Sequence, residues 1–285
     1  MKIWYLFCLT CITSLALAQT RDGNFHLDQE YKVAAKGTVR LNASDAKVTI
    51  TGSARTTARV KVDREIGVKG LKFGSQEFRV EVNEQDGNLS IREYKRGSVS
   101  GVGYHHEKYT INLEVPEGVS LVIDGDDGDY RISSVNGSIE LDIDDGDIEL
   151  TGCKGNNFSI KLDDGNLRMD RGRGSLAIDA DDANVEIRNG NFEKITAEFD
   201  DGDFVLETSL AENGNYFVST QDGLVAMKIL GGGGRFEIRH DDARIQAGPG
   251  FEVVERSENR TRITSPTGNA RVEIRADDAR VKLSR

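Results

Sequence analysis

Cysteine, proline, tryptophan and long apolar runs are all scarce in this 285-residue chain, and each shortage removes a class of protein. Of three cysteines, Cys8 and Cys11 fall in the first 18 residues. There Lys2, the apolar run from Ile3 to Leu15 and the small residues around Ala16-Leu17-Ala18 make the pattern of a secretory leader cleaved before Gln19. Cys153 is then the sole cysteine of the mature chain, so no intrachain disulfide can staple it. It reads as a small packed side chain rather than a nucleophile. The leader's apolar run is shorter than the roughly 20 residues that span a bilayer, and no later segment is apolar enough, which predicts a mature chain without a transmembrane segment. Three prolines and no Pro/Gly/Ser-rich linker favour one continuous array over separate domains. Basic residues are outnumbered: the mature chain keeps 36 of them against 48 acidic ones, a formal charge of −12. That balance argues against nucleic acid and anionic membranes as partners, since both call for a cationic face. No stretch sustains a capped 3.6-residue periodicity, so helices are not expected.

What is abundant is a repeat. Tetrads of the form Asp-Asp-Gly-Asp begin at Asp126, Asp144, Asp163, Asp181, Asp200, Gln221, Asp241 and Asp277, spaced by 18 to 21 residues apart from one double gap of 36. A degenerate unit around Phe251 to Ile263 fills that gap, and two further tetrads begin at Ser44 and Gln85. Before each tetrad apolar residues alternate, as in Ile139, Leu141 and Ile143; after it they alternate again, as in Ile148 and Leu150. Such period-2 patterning marks half-buried strands. The step from Ile143 to Ile148 is odd, so a straight strand would turn the second set outward, and the tetrad must change the direction of the chain. Two architectures satisfy a strand-turn-strand-turn period of about nineteen residues: a parallel β-solenoid and an antiparallel meander. The solenoid is favoured because stacked coils bury their own core, whereas a meander needs a cover that this sequence does not supply.

The all-β reading divides the chain into a leader at 1–18, a segment or cap at 19–36, a less regular β part at 37–118 with a Gly/Ser/His loop at 96–108, and regular repeats at 119–285. The last strand, from Val281 to Arg285, is expected at an exposed edge, guarded by Arg280, Lys282 and Arg285.

Within the tetrads, the second position is always Asp, and at Asp127, Asp145, Asp164, Asp182, Asp201, Asp242 and Asp278 it is read as a structural corner residue that bonds nearby amides. The third position is always Gly or Ala, which points to a need for small size more than for positive φ. Asp126, Asp129, Asp144, Asp147, Asp163, Asp181, Asp200 and Asp203 occupy the outer positions. Strands stack about 4.8 Å apart and calcium takes oxygen ligands at about 2.4 Å. Carboxylates on adjacent coils are therefore candidate calcium ligands, with a solvated acidic ridge as the alternative. No other cofactor is implied.

Catalytic signatures are missing. There is no Gly-x-Ser-x-Gly, and Gly231 to Gly234 lack the Lys-Ser/Thr of a phosphate loop. His240 stands at the end of a strand as a packing or capping residue; His105 and His106, with Tyr104 and Tyr109, make the 96–108 stretch a candidate contact surface. Paired carboxylates are numerous enough to keep a polysaccharide-cleaving β-helix enzyme as an alternative.

The run from Tyr109 to Asp124, followed by D-G-D-Y-R-I at Asp127 to Ile132 and N-G-S-I-E-L-D-I-D-D-G-D-I-E-L-T-G at Asn136 to Gly152, resembles the bacterial putative-adhesin, β-strand-repeat domains of unknown function. Leu41 to Gly52 reads similarly, and the resemblance covers most of 37–285. It implies an exported, non-enzymatic β-solenoid of the cell envelope, periplasmic or surface-exposed, with envelope glycans or surface proteins as partners. A calcium-organised extracellular scaffold is the third reading.

Overall fold

The computed structural model describes residues 24–74 and 76–285, without the side chains of 68–73 and 99–105. The expected leader, with Cys8 and Cys11, and the side chains of Tyr104 and His105 therefore lie outside the described residues. The described chain is all-β, without a helix, and forms one large sheet that is mostly parallel.

Seven strands precede residue 118: β1 (Phe25–Lys32), β2 (Thr38–Ala43), β3 (Lys47–Ser53), β4 (Thr57–Gly74), β5 (Glu77–Gln85), β6 (Asn88–Arg96) and β7 (Val99–Pro116). The middle holds β8 (Ser120–Asp127), β9 (Asp129–Ser133), β10 (Ile139–Thr151), β11 (Asn157–Asp170), β12 (Arg173–Asp201), β13 (Asp203–Ser209), β14 (Asn215–Thr220) and β15 (Leu224–Gly231). The C-terminal part has β16 (Gly234–His240), β17 (Arg244–Ala247), β18 (Glu252–Arg256), β19 (Arg260–Ser265), β20 (Ala270–Ala276) and β21 (Arg280–Ser284).

Equivalent repeat positions pair in register. Tyr130, Ile148, Leu167, Val185, Phe204, Val225 and Val281 are successive partners along one parallel ladder, and each is at most 1% exposed. Like stacks on like because a two-residue alternation shifted by a whole repeat keeps every apolar side chain on the same face. The tetrad is not a break between strands. β10 and β11 run through it unbroken, with Asp145 opposite Asp164 and Gly146 opposite Gly165. The corner therefore bends the chain while its backbone hydrogen bonds continue.

The third tetrad position explains how the corner fits. A Cβ on Gly146 would lie 1.9 Å from the carbonyl oxygen of Gly128, and one on Gly165 would lie 2.1 Å from that of Gly146. Size is thus limiting, but so is conformation: Gly165, Gly202 and Gly223 have φ of 129°, 120° and 103°. Ala183 takes the same place without positive φ, fully buried. The corner accordingly exists in two backbone forms, so positive φ weighs alongside the small size that the sequence put first.

Four further expectations change at the ends. Asp86 and Gly87, with φ of 51° and 76°, make the two-residue turn of the antiparallel β5–β6 hairpin. That tetrad is a type I′ turn and not a repeat corner. The stretch 96–108 is not a loop. Most of it belongs to β7, which pairs with β4 as a long antiparallel ribbon from Arg59↔Glu114 to Gly74↔Val99. Its glycines suggest a loop because the partner that satisfies its backbone lies 25 to 43 residues upstream. Arg64 anchors this ribbon, its buried guanidinium 2.7 Å from Glu107 and 4.2 Å from the Phe78 ring centre.

The degenerate unit near 251–263 is a second antiparallel hairpin, β18–β19, laid against β16. Finally, the last strand is interior: β21 lies between β15 and β17, and β20 between β14 and β16. The same inversion occurs at the other end, where β2 and β3 sit between β6 and β8 and between β7 and β9. At both ends the chain doubles back, and spatial order departs from sequence order.

Candidate functional site

The tetrads form a ridge along one corner. The second-position carboxylates of Asp127, Asp145, Asp164 and Asp182 are exposed, and their residues are successive ladder partners. Among the described residues, the side chains of Asp127, Asp145, Asp164, Asp182, Asp201, Asp242 and Asp278 bond no backbone amide; the only such corner contact to a tetrad side chain is from Asp203 N to Asn184 Oδ1, 3.1 Å away. The outer positions are partly neutralised by protein groups. Asp129 meets Lys47 at 3.2 Å and Asp163 meets Lys161 at 3.3 Å. Asn166 donates to Asp147 at 2.8 Å, and Gln221 to Asp200 at 2.7 Å.

Asp126, Asp144, Asp181 and Asp203 complete the outer set. Among the described residues no three His, Cys, Asp or Glu side chains converge as a metal centre. An ion between two coils would thus draw on two carboxylates, which supply at most four of the six to eight oxygens calcium takes.

Crowding of like charge is visible in the titration of the ridge. Partial desolvation and then Asp127 and Asp164 on either side raise the Asp145 carboxyl above its ordinary value. Desolvation followed by Asp144 and Asp45 does the same for Asp126. A raised folded-state pKa means that the ionised form is the disfavoured one. The penalty is present in full above the folded pKa and is relieved as the pH falls through it. Asp28, Glu30, Asp170 and Glu255 have the opposite sign: bonds from Arg59, Thr57, Asn189 and Arg260 respectively lower their pKa, and that stabilisation is lost on acidification.

Asp145→Asn is therefore expected to raise the melting temperature at pH 7 in low salt, with the gain vanishing in 1 M NaCl, where the screening length is about 3 Å. A gain unaffected by salt would point to something other than repulsion. A calcium effect larger than that of sodium at equal ionic strength would mark bound ions.

The remaining candidates resolve simply. His240 is half-buried, with Nε2 3.1 Å from Thr261 Oγ1, and ties β16 to the terminal hairpin. His106 is exposed on the antiparallel ribbon. Cys153 is 2% exposed, and burial pushes its thiol up, which makes it inert.

Sequence reading missed a different feature. Residues 119–224 carry 25 acidic and eight basic side chains, whereas 225–285 carry nine acidic and twelve basic. Where that basic part meets the loop before β14, Asn213, Gly214, Asn215, Arg235, Asn269 and Arg271 line an open cleft of about 420 Å³. Asn215, Arg271 and Arg235 are consecutive rungs of one outward stripe, which Lys194 extends by one more.

The two arginines come from a duplicated sequence, Gly234 to Arg244 and Ala270 to Arg280, each containing Arg-x-Glu-x-Arg. In both copies the Glu pairs with the second arginine, Glu237 with Arg239 at 3.2 Å and Glu273 with Arg275 at 2.9 Å. Among the described residues neither Arg235, Arg271 nor Lys194 has an ion-pair partner. Aligning the two copies was the signal that would have found the pair. Their contact could not be foreseen while the copies were thought to be separated by a further coil.

Parallel in-register rungs, small-residue corners and an acidic ridge define an all-β repeat protein assembled from near-identical layers. The chain belongs to the Toastrack DUF4097 family, whose model matches residues 37–284. Among solved structures, a putative adhesin from Bacteroides fragilis is similar at 13% identity, over 91% of this chain and 97% of that one, with a TM-score of 0.42. A putative cell adhesion protein from Clostridium sporogenes is similar at 14% identity, over 92% and 99%, with a TM-score of 0.29. No curated protein is similar to the chain.

Proposed function

We propose that the chain is an exported, non-enzymatic, adhesin-like protein of the cell envelope, a β-solenoid whose stacked coils present a long polar surface to envelope glycans or surface proteins. The observation that carries this reading is the construction of the molecule. Nearly all its apolar side chains are spent on one continuous ladder core, while its polar groups recur as equivalent outward rungs. A catalytic pair would have to be exceptional within such an array, and the carboxylates of the ridge are repeated instead. Membership of the Toastrack family and the leader pattern at 1–18 support the same reading.

Fractionation with N-terminal sequencing tests it. The expected result is a mature chain beginning at Gln19 in the envelope or outside the cell, together with glycan-array binding that yields no cleaved product. Recovery of the intact chain from the cytosol, or release of saccharide fragments, would overturn it.

A further inference from the structure

We propose that the cleft between Arg235 and Arg271 is a binding site for the carboxylate of an acidic sugar. This deepens the adhesive reading above by naming a ligand class for one part of the surface.

The argument starts from the two guanidinium groups. Arg235 and Arg271 are in-register partners on adjacent parallel strands, β16 and β20, so their attachment points are about 4.8 Å apart. Like charges placed directly across a ladder repel and cost stability. Elsewhere in the molecule exposed arginines are commonly relieved by a neighbouring carboxylate, as Arg59 is by Asp28 and Arg188 by Glu186. Here the available carboxylates, Glu237 and Glu273, are engaged by Arg239 and Arg275 two residues along each strand. With Lys194 on the same stripe, three cationic rungs lack an internal counter-charge on a protein whose net charge is −11. Two planar guanidinium forks side by side match a carboxylate, which each can bind bidentately.

The rest of the lining narrows the class. Asn213, Asn215 and Asn269 each offer a primary amide with both donors and an acceptor. That is the complement of neighbouring hydroxyl groups, which both give and take hydrogen bonds. An inorganic anion would use the arginines and leave the acceptors idle. The backbone around the amides is fixed: Arg271 N donates to Gly214 O at 2.9 Å, and Asn269 N to Glu212 O at 3.1 Å. At about 420 Å³ and open to solvent, the cleft lies within the roughly 300–1,000 Å³ of small-ligand sites and has room for a sugar ring at the end of a longer chain.

Calorimetric titration of the intact protein with galacturonate, galactose and sodium sulfate tests the proposal without requiring the chain to be displayed on a cell. Galacturonate is expected to bind at millimolar concentration, with galactose and sulfate at least about tenfold weaker, a difference of about 1.4 kcal/mol. Arg271→Gln and Arg235→Gln are each expected to remove galacturonate binding without lowering the melting temperature, because both side chains are exposed and each substitution relieves the repulsion between them. Arg168→Gln, an exposed arginine in the other ladder, should leave it unchanged. Sulfate binding equal to that of galacturonate, or equal loss with Arg168→Gln, would overturn the site, as would no heat with galacturonate. Uronate binding by a protein found in the cytosol would uphold the site and defeat the adhesive reading; glycan adhesion without uronate binding would do the reverse.

Discussion

A chain ending at Ser265 is expected to lose protection throughout 215–265, rather than only the layer removed. If layers stacked in sequence order, the last one would be terminal, and its loss would shorten the array by one unit at the cost of one interface. Here β20 and β21 are interior. Without them β14 and β16 lose their shared partner, β15 loses a neighbour, and β17 loses the only strand it pairs with among the described residues. Val272, Ile274, Ala276, Ala279, Val281 and Leu283, all at most 2% exposed, leave the core together. At roughly 1.5–3 kcal/mol for each of the larger side chains, the gross loss is on the order of 10 kcal/mol, comparable to the whole net stability of an ordinary domain. Amide hydrogen exchange reads the result directly: β14 through β19 should exchange rapidly in the shortened chain, while β8 to β11 remain protected. Unchanged protection of β16 and β17 would show that the final layer does not lie between them and their neighbours.

That inversion marks the boundary of what the sequence made legible. Alternation and the small third tetrad position are local properties, so the in-register core from Leu121 to Leu206 and the corner at each tetrad could be read from one repeat at a time. Partner choice is not local. The stretch from Val99 to His106 looked like a loop because its glycines and histidines give no apolar alternation, yet β4 offers an equally irregular strand to pair with. Asp86-Gly87 matched the tetrad in letters while its two positive φ values served a hairpin. The acidic ridge was visible as composition, whereas the cleft was not. Arg235 and Arg271 are 36 residues apart in a chain whose layers seemed to follow one another, and only the doubling back of the last layer makes them neighbours.

Gly146→Val is expected to cost about 4 kcal/mol, combining about 1–3 kcal/mol for a branched side chain at the φ of 154° that Gly146 adopts with about 1–3 kcal/mol for overlap in a packed site. The added Cβ would meet the Gly128 carbonyl oxygen at 1.9 Å, with Gly128 C at 2.9 Å. These are backbone atoms of the next layer, which cannot move aside as a side chain would. Gly146→Ala separates the two contributions. If the corner can take the form that Ala183 already adopts two layers further along, the cost falls to about 1–2 kcal/mol; if positive φ is enforced by the layers on both sides, alanine is nearly as damaging as valine. Gly67→Ala provides the comparison, since its Cβ would find nothing closer than 3.9 Å on the exposed ribbon, and it should be neutral or slightly stabilising. Equilibrium denaturation of the three variants gives the order. A tolerated valine at position 146 would mean that the layers are not stacked at the distance that makes this corner require glycine.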